Sequence, residues 1–457
     1  MIRIFALIFF SFSSIIFAKD TVPQSELEIK LSFVPLVKQA APAVVNIYAQ
    51  RIIKERRSPF SRDPFFRDFF RNFGQLQPRV QNSLGSGVIL SGDGYVVSNY
   101  HVVGGATDIR VVLHDGREIS GNVILSDEES DLAVLKLNTD EMLPHLELRK
   151  SDTVEVGELV LAIGNPFGVV KLSQMEYSGL ARTGIASGSA KGYFLQTDAP
   201  INPGNSGGAL IDISGSLVGV NTSILSRSGG SNGIGFAIPA DLVGQFLVQA
   251  KVGRSSFIRP WAGMRGQPIT FEMAASLNLP AMSGMIISEL HELSPFSKVG
   301  IGVGDIITKV DGLDINSPAE MLYRMSVAGI GAAVDVSYLS GGIIKSSKID
   351  LIEIPNFKAK EVILGPEFIF IDLRISEVTP EFQSKFGLSF SSTGLIVLDP
   401  GRIASRLGLR RGDLLREING KSVDTIEDVT SAISSIHSTG SITIIRSGRQ
   451  VSLRFRL

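Results

Sequence analysis

The segment Gly204-Asn205-Ser206-Gly207-Gly208 sets one serine hydroxyl among three glycines. A serine is a poor nucleophile until a base takes its proton and N–H groups stabilise the oxyanion that forms. Flanking glycines let the backbone turn several amides toward one point. A glycine-rich turn is the alternative reading of the same five residues. Among the five histidines, His101 stands out at the end of the strand Tyr95-Val96-Val97-Ser98. His114, His145, His291 and His437 fall beside turns or in polar stretches and read as surface histidines. An orienting carboxylate belongs where an acid meets a buried strand, and Glu129-Ser130-Asp131 runs directly into Leu132-Ala133-Val134-Leu135. Capping a turn is the other reading of Asp131. Taken together, His101, Asp131 and Ser206 supply a base, its orienter and a nucleophile, the set that acyl transfer requires.

These residues need a scaffold. Between residues 40 and 250 the chain reads as many short strands parted by Gly, Asp-Gly and Asn, which indicates an antiparallel barrel or sandwich. Helical periodicity is confined to Asp241–Lys251. On an all-β scaffold the order His, Asp, Ser is that of a chymotrypsin-like triad. Beyond Gly253 a repeat appears: Gly300-Ile301-Gly302-Val303-Gly304-Asp305 returns as Gly408-Leu409-Arg410-Arg411-Gly412-Asp413, 108 residues later. Each copy continues through an Asp-Gly or Asn-Gly hairpin turn into a helical run (SPAEMLYRM, TIEDVTSAISSI), so two α+β domains of about 100 residues follow the β region. Ile354-Pro355-Asn356 is the expected linker.

Composition narrows the chemistry. The 457 residues suit about three domains. With no cysteine, thiolate nucleophiles, disulfide scaffolds, Cys-ligated zinc and iron–sulfur clusters are excluded. Lys and Arg total 44 against 45 Asp and Glu, so no global field draws in nucleic acid, and no nucleic-acid partner is expected. His291-Glu292 is followed by Leu293-Ser294-Pro295, with no second histidine one helical turn on, and neither metal nor cofactor is expected.

Residues 1–18, MIRIFALIFFSFSSIIFA, carry one charge at Arg3 and then an apolar and hydroxyl run, which reads as a secretory signal cleaved after Ala18. Export without cysteine fits a periplasm. An uncleaved signal retained as an anchor is the alternative, and peripheral membrane association is a separate expectation. From Arg51 to Asn82 the strand pattern stops. There Asp63-Pro64 opens a run with Phe65, Phe66, Phe69, Phe70 and Phe73 at spacings of three and four. An amphipathic helix on a long loop is expected, its face docked on its own domain or on another subunit.

The segments SNYHVV, ESDLAVLK, AIGNPFG, QTDAPINPGNSGGAL, GVNTSIL and GIGFAIP, in this order and followed by both repeats, resemble the HtrA (Do-type, Deg) family of exported serine endoproteases. The resemblance implies a mainly β protein, with a chymotrypsin-like double β-barrel over 19–255 and two PDZ domains over 256–355 and 361–457, a DegP/DegQ-like arrangement. It implies His101 as base, Asp131 as orienter and Ser206 as nucleophile, with the amides of Gly204, Asn205 and Ser206 as oxyanion hole, and Asp198 as structural. Asn221, Thr222, Ser223, Ile224 and Leu225 would pair with an extended substrate, beside an apolar pocket bounded by Ile201, Ile224 and Leu225. Trp261, Ala262, Gly263 and Met264 would form the first PDZ domain's carboxylate-binding loop. The second repeat has Phe370-Ile371-Asp372-Leu373 there; without the glycine, and with Asp372 repelling a terminal carboxylate, it is expected to serve assembly. Residues 169–178 depart from the family's usual turn and strand, which implies different regulation. The implied partners are unfolded polypeptides, their C-termini and further copies of the chain, in trimers or multiples of trimers. Chaperone action beside proteolysis is implied too. A PDZ-based chaperone or binding protein with a vestigial protease domain is the alternative.

Overall fold

The structure is a computed structural model describing residues 33–52, 80–164, 171–176, 179–183, 193–199, 201, 204–224, 234–276, 283–436 and 439–456. The signal segment, the phenylalanine run, Asn165–Val170, Leu225 and His437 lie outside these residues. No described helix is long and apolar enough to cross a membrane. The chain divides into two compact units between Phe257 and Ile258.

In the first unit the alternating runs pair as their spacing predicts. Strands β1 (Val44–Ile52), β2 (Val80–Ser91), β3 (Tyr95–Ser98), β4 (Asp108–Val112), β5 (Glu118–Asp127) and β6 (Leu132–Leu137) close a barrel in the order β1-β2-β3-β6-β5-β4. Val45, Ile47, Ile89, Val96, Val111 and Leu135 fill it. Strand β5 escapes the apolar pattern because only Gly121 and Leu125 along it are buried.

Strands β7 (Leu159–Gly164), β8 (Lys171–Glu176), β9 (Gly179–Thr183), β10 (Tyr193–Thr197), β11 (Ala209–Asp212), β12 (Leu217–Ile224) and β13 (Gly235–Pro239) form a seven-stranded sheet ordered β8-β7-β11-β12-β13-β10-β9. The stretch that departs from the family pattern thus contributes β8, paired along its length with β7. Helix α1 (Val34–Ala40), which carried no periodic signal, buries Leu36 and Ala40. Helix α2 (Tyr100–Val103) is a single turn after β3, and α3 (Ala240–Lys251) turns Leu242, Val243 and Phe246 inward, Phe246 stacking on Phe257 at 4.1 Å.

The second unit contains the two repeats. The first builds a sheet from β14 (Met264–Pro268), β15 (Met285–Leu290), β16 (Ile306–Val310), β17 (Leu313–Asp314), β18 (Ala333–Ser340) and β19 (Ile343–Asp350). The second uses β20 (Glu361–Ile363), β21 (Arg374–Glu377), β22 (Leu395–Asp399), β23 (Leu414–Ile418), β24 (Lys421–Ser422), β25 (Thr439–Arg446) and β26 (Arg449–Arg456). The hairpin turns Asp311-Gly312 (φ 48° and 80°) and Asn419-Gly420 (φ 51° and 75°) are left-handed at both positions, as a two-residue type I′ turn requires. Helices α4 (Pro318–Ala328) and α5 (Ile426–Ser434) start at side-chain caps, Ser317 accepting from Glu320 N and Thr425 forming a capping box with Asp428.

The structure corrects one histidine. His291 is not on the surface but only 7% exposed, between the rings of Trp261 (5.3 Å) and Phe390 (5.6 Å). Phe390 comes from the second repeat, so its cover is a tertiary contact that the polar neighbours of His291 do not announce.

Candidate active site

Strand β3 ends at Ser98, and the α2 turn brings His101 back over the start of β6. Asp131 stands there at φ 54°, a left-handed conformation that aspartate tolerates better than most residues. Its carbonyl accepts from Tyr100 N (3.1 Å) and Asn99 Nδ2 (3.0 Å), which ties α2 to β6. Its carboxylate accepts from His101 N at Oδ1 (3.0 Å) and faces His101 Nδ1 at 3.0 Å from Oδ1 and 2.8 Å from Oδ2. A ring with its Nδ1 proton aimed at a carboxylate presents Nε2 as the acceptor, the tautomer a general base needs.

Asp131 is 8% exposed, and a buried carboxylate needs donors. A further donor comes from β12: Thr222 Oγ1 donates to Asp131 Oδ2 at 2.6 Å. The register of β12 against β13 shifts between Asn221 and Ser223, a bulge at Thr222, and bulges beside active sites re-aim a side chain in this way. Thr222 also accepts from Ser206 Oγ at its carbonyl oxygen (3.2 Å), so one residue links serine to aspartate.

The loop bearing Ser206 is held from the first barrel. Ser86 on β2 donates its N–H to Ser206 O (2.8 Å) and its hydroxyl to Gly204 O (2.6 Å), while its own carbonyl accepts from Ser98 Oγ (2.7 Å). Gly207, at φ 83°, could carry no side chain, because a Cβ there would lie 2.1 Å from Ser86 O. Asn221 is fully buried; its N–H donates to Gly208 O and its carbonyl accepts from Gly207 N. Asn205 is buried at 3% exposure. Ile201, 2% exposed, packs against Gly235, where a Cβ would come within 2.8 Å of its Cδ1. The pairing of β11 with β12 ends at Val220, whereas Ser223 and Ile224 pair on their other side with β13.

The chain is 33% identical over 445 residues to a Haemophilus influenzae protein described as a probable periplasmic serine protease do/HhoA-like, the match covering 94% of this chain and 92% of that one. It is 32% identical to a Halomonas elongata probable periplasmic serine endoprotease DegP-like, over 95% of each. The chain belongs to the HtrA family of Do-type serine endoproteases. Residues 85–220 match a trypsin-like peptidase domain, and residues 268–351 and 397–446 each match a PDZ domain. Among solved structures, the HtrA-type protease AlgW with decapeptide aligns at TM-score 0.52 and 36% identity, covering 71% of this chain and all of that one. This HtrA-family member is therefore a serine endopeptidase with a trypsin-like domain and two PDZ domains.

In the first PDZ domain Gly263 takes φ 59° and its carbonyl accepts from His291 N (2.8 Å), with β14 at the edge of its sheet. Reasoning from motifs missed Ser86 and gave Thr222 a substrate-pairing role without its link to Asp131. Ser86 lies in a Gly-Ser-Gly run whose partners are on the second sheet. The hydroxyl direction of Thr222 depends on a bulge invisible in one strand.

Proposed function

We propose that His101, Asp131 and Ser206 carry out peptide-bond hydrolysis in the first unit. The observation that carries this reading is the buried network His101–Asp131–Thr222–Ser206. In the resting arrangement Ser206 Oγ donates to Thr222 O. For attack it turns to His101 Nε2, which takes the proton as Oγ bonds to the substrate carbonyl carbon. The amides of Gly204, Asn205 and Ser206 receive the oxyanion, and Asp131 stabilises the imidazolium. That proton then passes to the leaving amine as the peptide C–N bond breaks, and a water activated by the same imidazole hydrolyses the acyl-enzyme.

The substrate extends along the backbone of Ser223 and Ile224, beside the apolar Ile201. Trp261, Ala262, Gly263 and Met264 hold a peptide C-terminus by strand addition to β14. The domains run over 19–255, 256–355 and 361–457; the loop expected over 51–82 is narrower, because Arg51 and Ile52 end β1 and Val80–Asn82 open β2, where the two strands pair with each other. Residues 1–18 direct export to the periplasm, in keeping with the descriptions of the relatives. The protein removes unfolded exported chains without ATP, combines this with chaperone action under stress, and assembles as trimers or their multiples.

The test is degradation of unfolded casein by purified mature protein beside Ser206→Ala. Cleavage by the wild type alone is expected; equal cleavage by both overturns the assignment.

A further inference from the structure

The two repeats differ at one sheet edge. In the first, β14 ends the sheet, as a strand-adding peptide requires. In the second, the equivalent strand β21 already carries a partner: β20 pairs antiparallel with it, Glu361 opposite Ser376, Val362 opposite Ile375 and Ile363 opposite Arg374.

The polarity of β20 is that of a ligand. A peptide whose C-terminus is caught by the loop before the edge strand must run antiparallel to that strand and end at its start. Segment 361–364 does so, with Leu364 arriving beside Leu373. Its side chains alternate as a bound strand's would: Val362 packs on the domain core, Ile363 is 60% exposed, and Leu364 is 1% exposed as a member of the core cluster that also holds Phe370, Leu373, Val429 and Ile433. The backbone is held at the same end, Leu364 N donating to Leu373 O (2.9 Å) and Asp372 N donating to Leu364 O (3.0 Å).

Asp372 explains what kind of ligand this is. It stands at φ 65° where the first repeat has Gly263 at φ 59°, so the loop backbone is kept although the glycine is not. A terminal carboxylate would meet the Asp372 charge, whereas Leu364 offers a neutral carbonyl to the same amide. The chain then leaves through a turn closed by Phe368 N to Gly365 O (3.1 Å).

We propose that Glu361–Leu364 is a peptide bound in cis, and that the second PDZ groove is selective for an internal, uncharged strand end with aliphatic residues at alternate positions. The proposal rests on the family's PDZ assignment. It makes the first PDZ domain the open one for peptides in trans and the second a site already filled by the chain itself.

The test uses the full chain carrying Ser206→Ala, so that added peptide survives, and reads amide hydrogen exchange at 374–377 against 264–267. Val362→Ala with Leu364→Ala is expected to speed exchange at 374–377 about tenfold while the first repeat stays unchanged. Acetyl-Lys-Glu-Val-Ile-Leu-amide at millimolar concentration restores protection. The same peptide with a free carboxylate needs about fivefold more, and Asp372→Gly removes that difference. Unchanged exchange in the double variant, or protection that the amide peptide fails to restore, overturns the proposal. Equal potency of acid and amide overturns its selectivity. Should the double variant unfold the whole domain, seen as exchange along 439–446, Leu364→Ala alone is read by the same criteria.

Discussion

Replacing Thr222 with valine removes one hydroxyl and keeps the branched shape. Asp131 Oδ2 loses the donor at 2.6 Å and, among the described residues, keeps the His101 ring, while Oδ1 still receives the His101 backbone N–H. A hydrogen bond to a charged group contributes about 1.5–3 kcal/mol, and about 1.4 kcal/mol is one decade in rate, so kcat should fall by about 10- to 150-fold. The loss stays below the roughly 10⁴-fold that misplacing the imidazole tautomer costs in serine proteases, because His101 and Asp131 remain in contact. The carbonyl that accepts from Ser206 is unaltered, and KM should hold. Steady-state cleavage of a short chromogenic peptide by Thr222→Val and Thr222→Ser measures this, the serine variant returning to within about threefold of wild type. Undiminished kcat in the valine variant, or a serine variant equally impaired, would refute the link from Thr222 to Asp131.

Ser86→Ala leaves the buried Gly204 carbonyl without its hydroxyl donor and should lower kcat about tenfold with KM unchanged; a change in KM alone would show that Ser86 acts on binding and not on the oxyanion loop. Burial pushes the His291 imidazole below its ordinary value, with Glu292 opposing, and Arg265 and Glu289 pair on the neighbouring strands. The unfolded chain therefore binds the proton more readily. His291 contributes stability above the ordinary histidine value of about 6.5, and loses it as pH falls through that value toward the lower folded one. Urea unfolding followed by the single tryptophan, Trp261, should weaken between pH 7.5 and 5.5 more in wild type than in His291→Asn, whose amide oxygen can still accept from Leu293 N. Parallel curves would dismiss His291 as the cause.

The candidates His101, Asp131 and Ser206 stand out in the sequence because each sits where a local pattern breaks: the end of a strand, the mouth of a strand, a triple-glycine turn. The two repeats were legible because their hairpin turns need residues that accept left-handed φ. What stayed hidden depends on partners far along the chain. Strand β5 is buried too sparsely to alternate visibly, and helix α1 is too short to show a period. Thr222 needs the register of β12 against β13, and His291 needs Phe390. Segment 361–364, placed at the start of the second PDZ domain, shows its pairing only once β21 is seen beside it.

The proposed catalytic groups are divided between two bodies of the first unit. His101 and Asp131 belong to the closed barrel, whereas Ser206 and Thr222 belong to the seven-stranded sheet, and Thr222 meets Asp131 across 91 residues of sequence. Neither body alone holds a nucleophile with its base. On that assignment a chain that has folded only its first barrel would be inert toward its neighbours. On the proposed assignment the division would act as a safety catch: cutting power would appear only in a molecule that has finished folding.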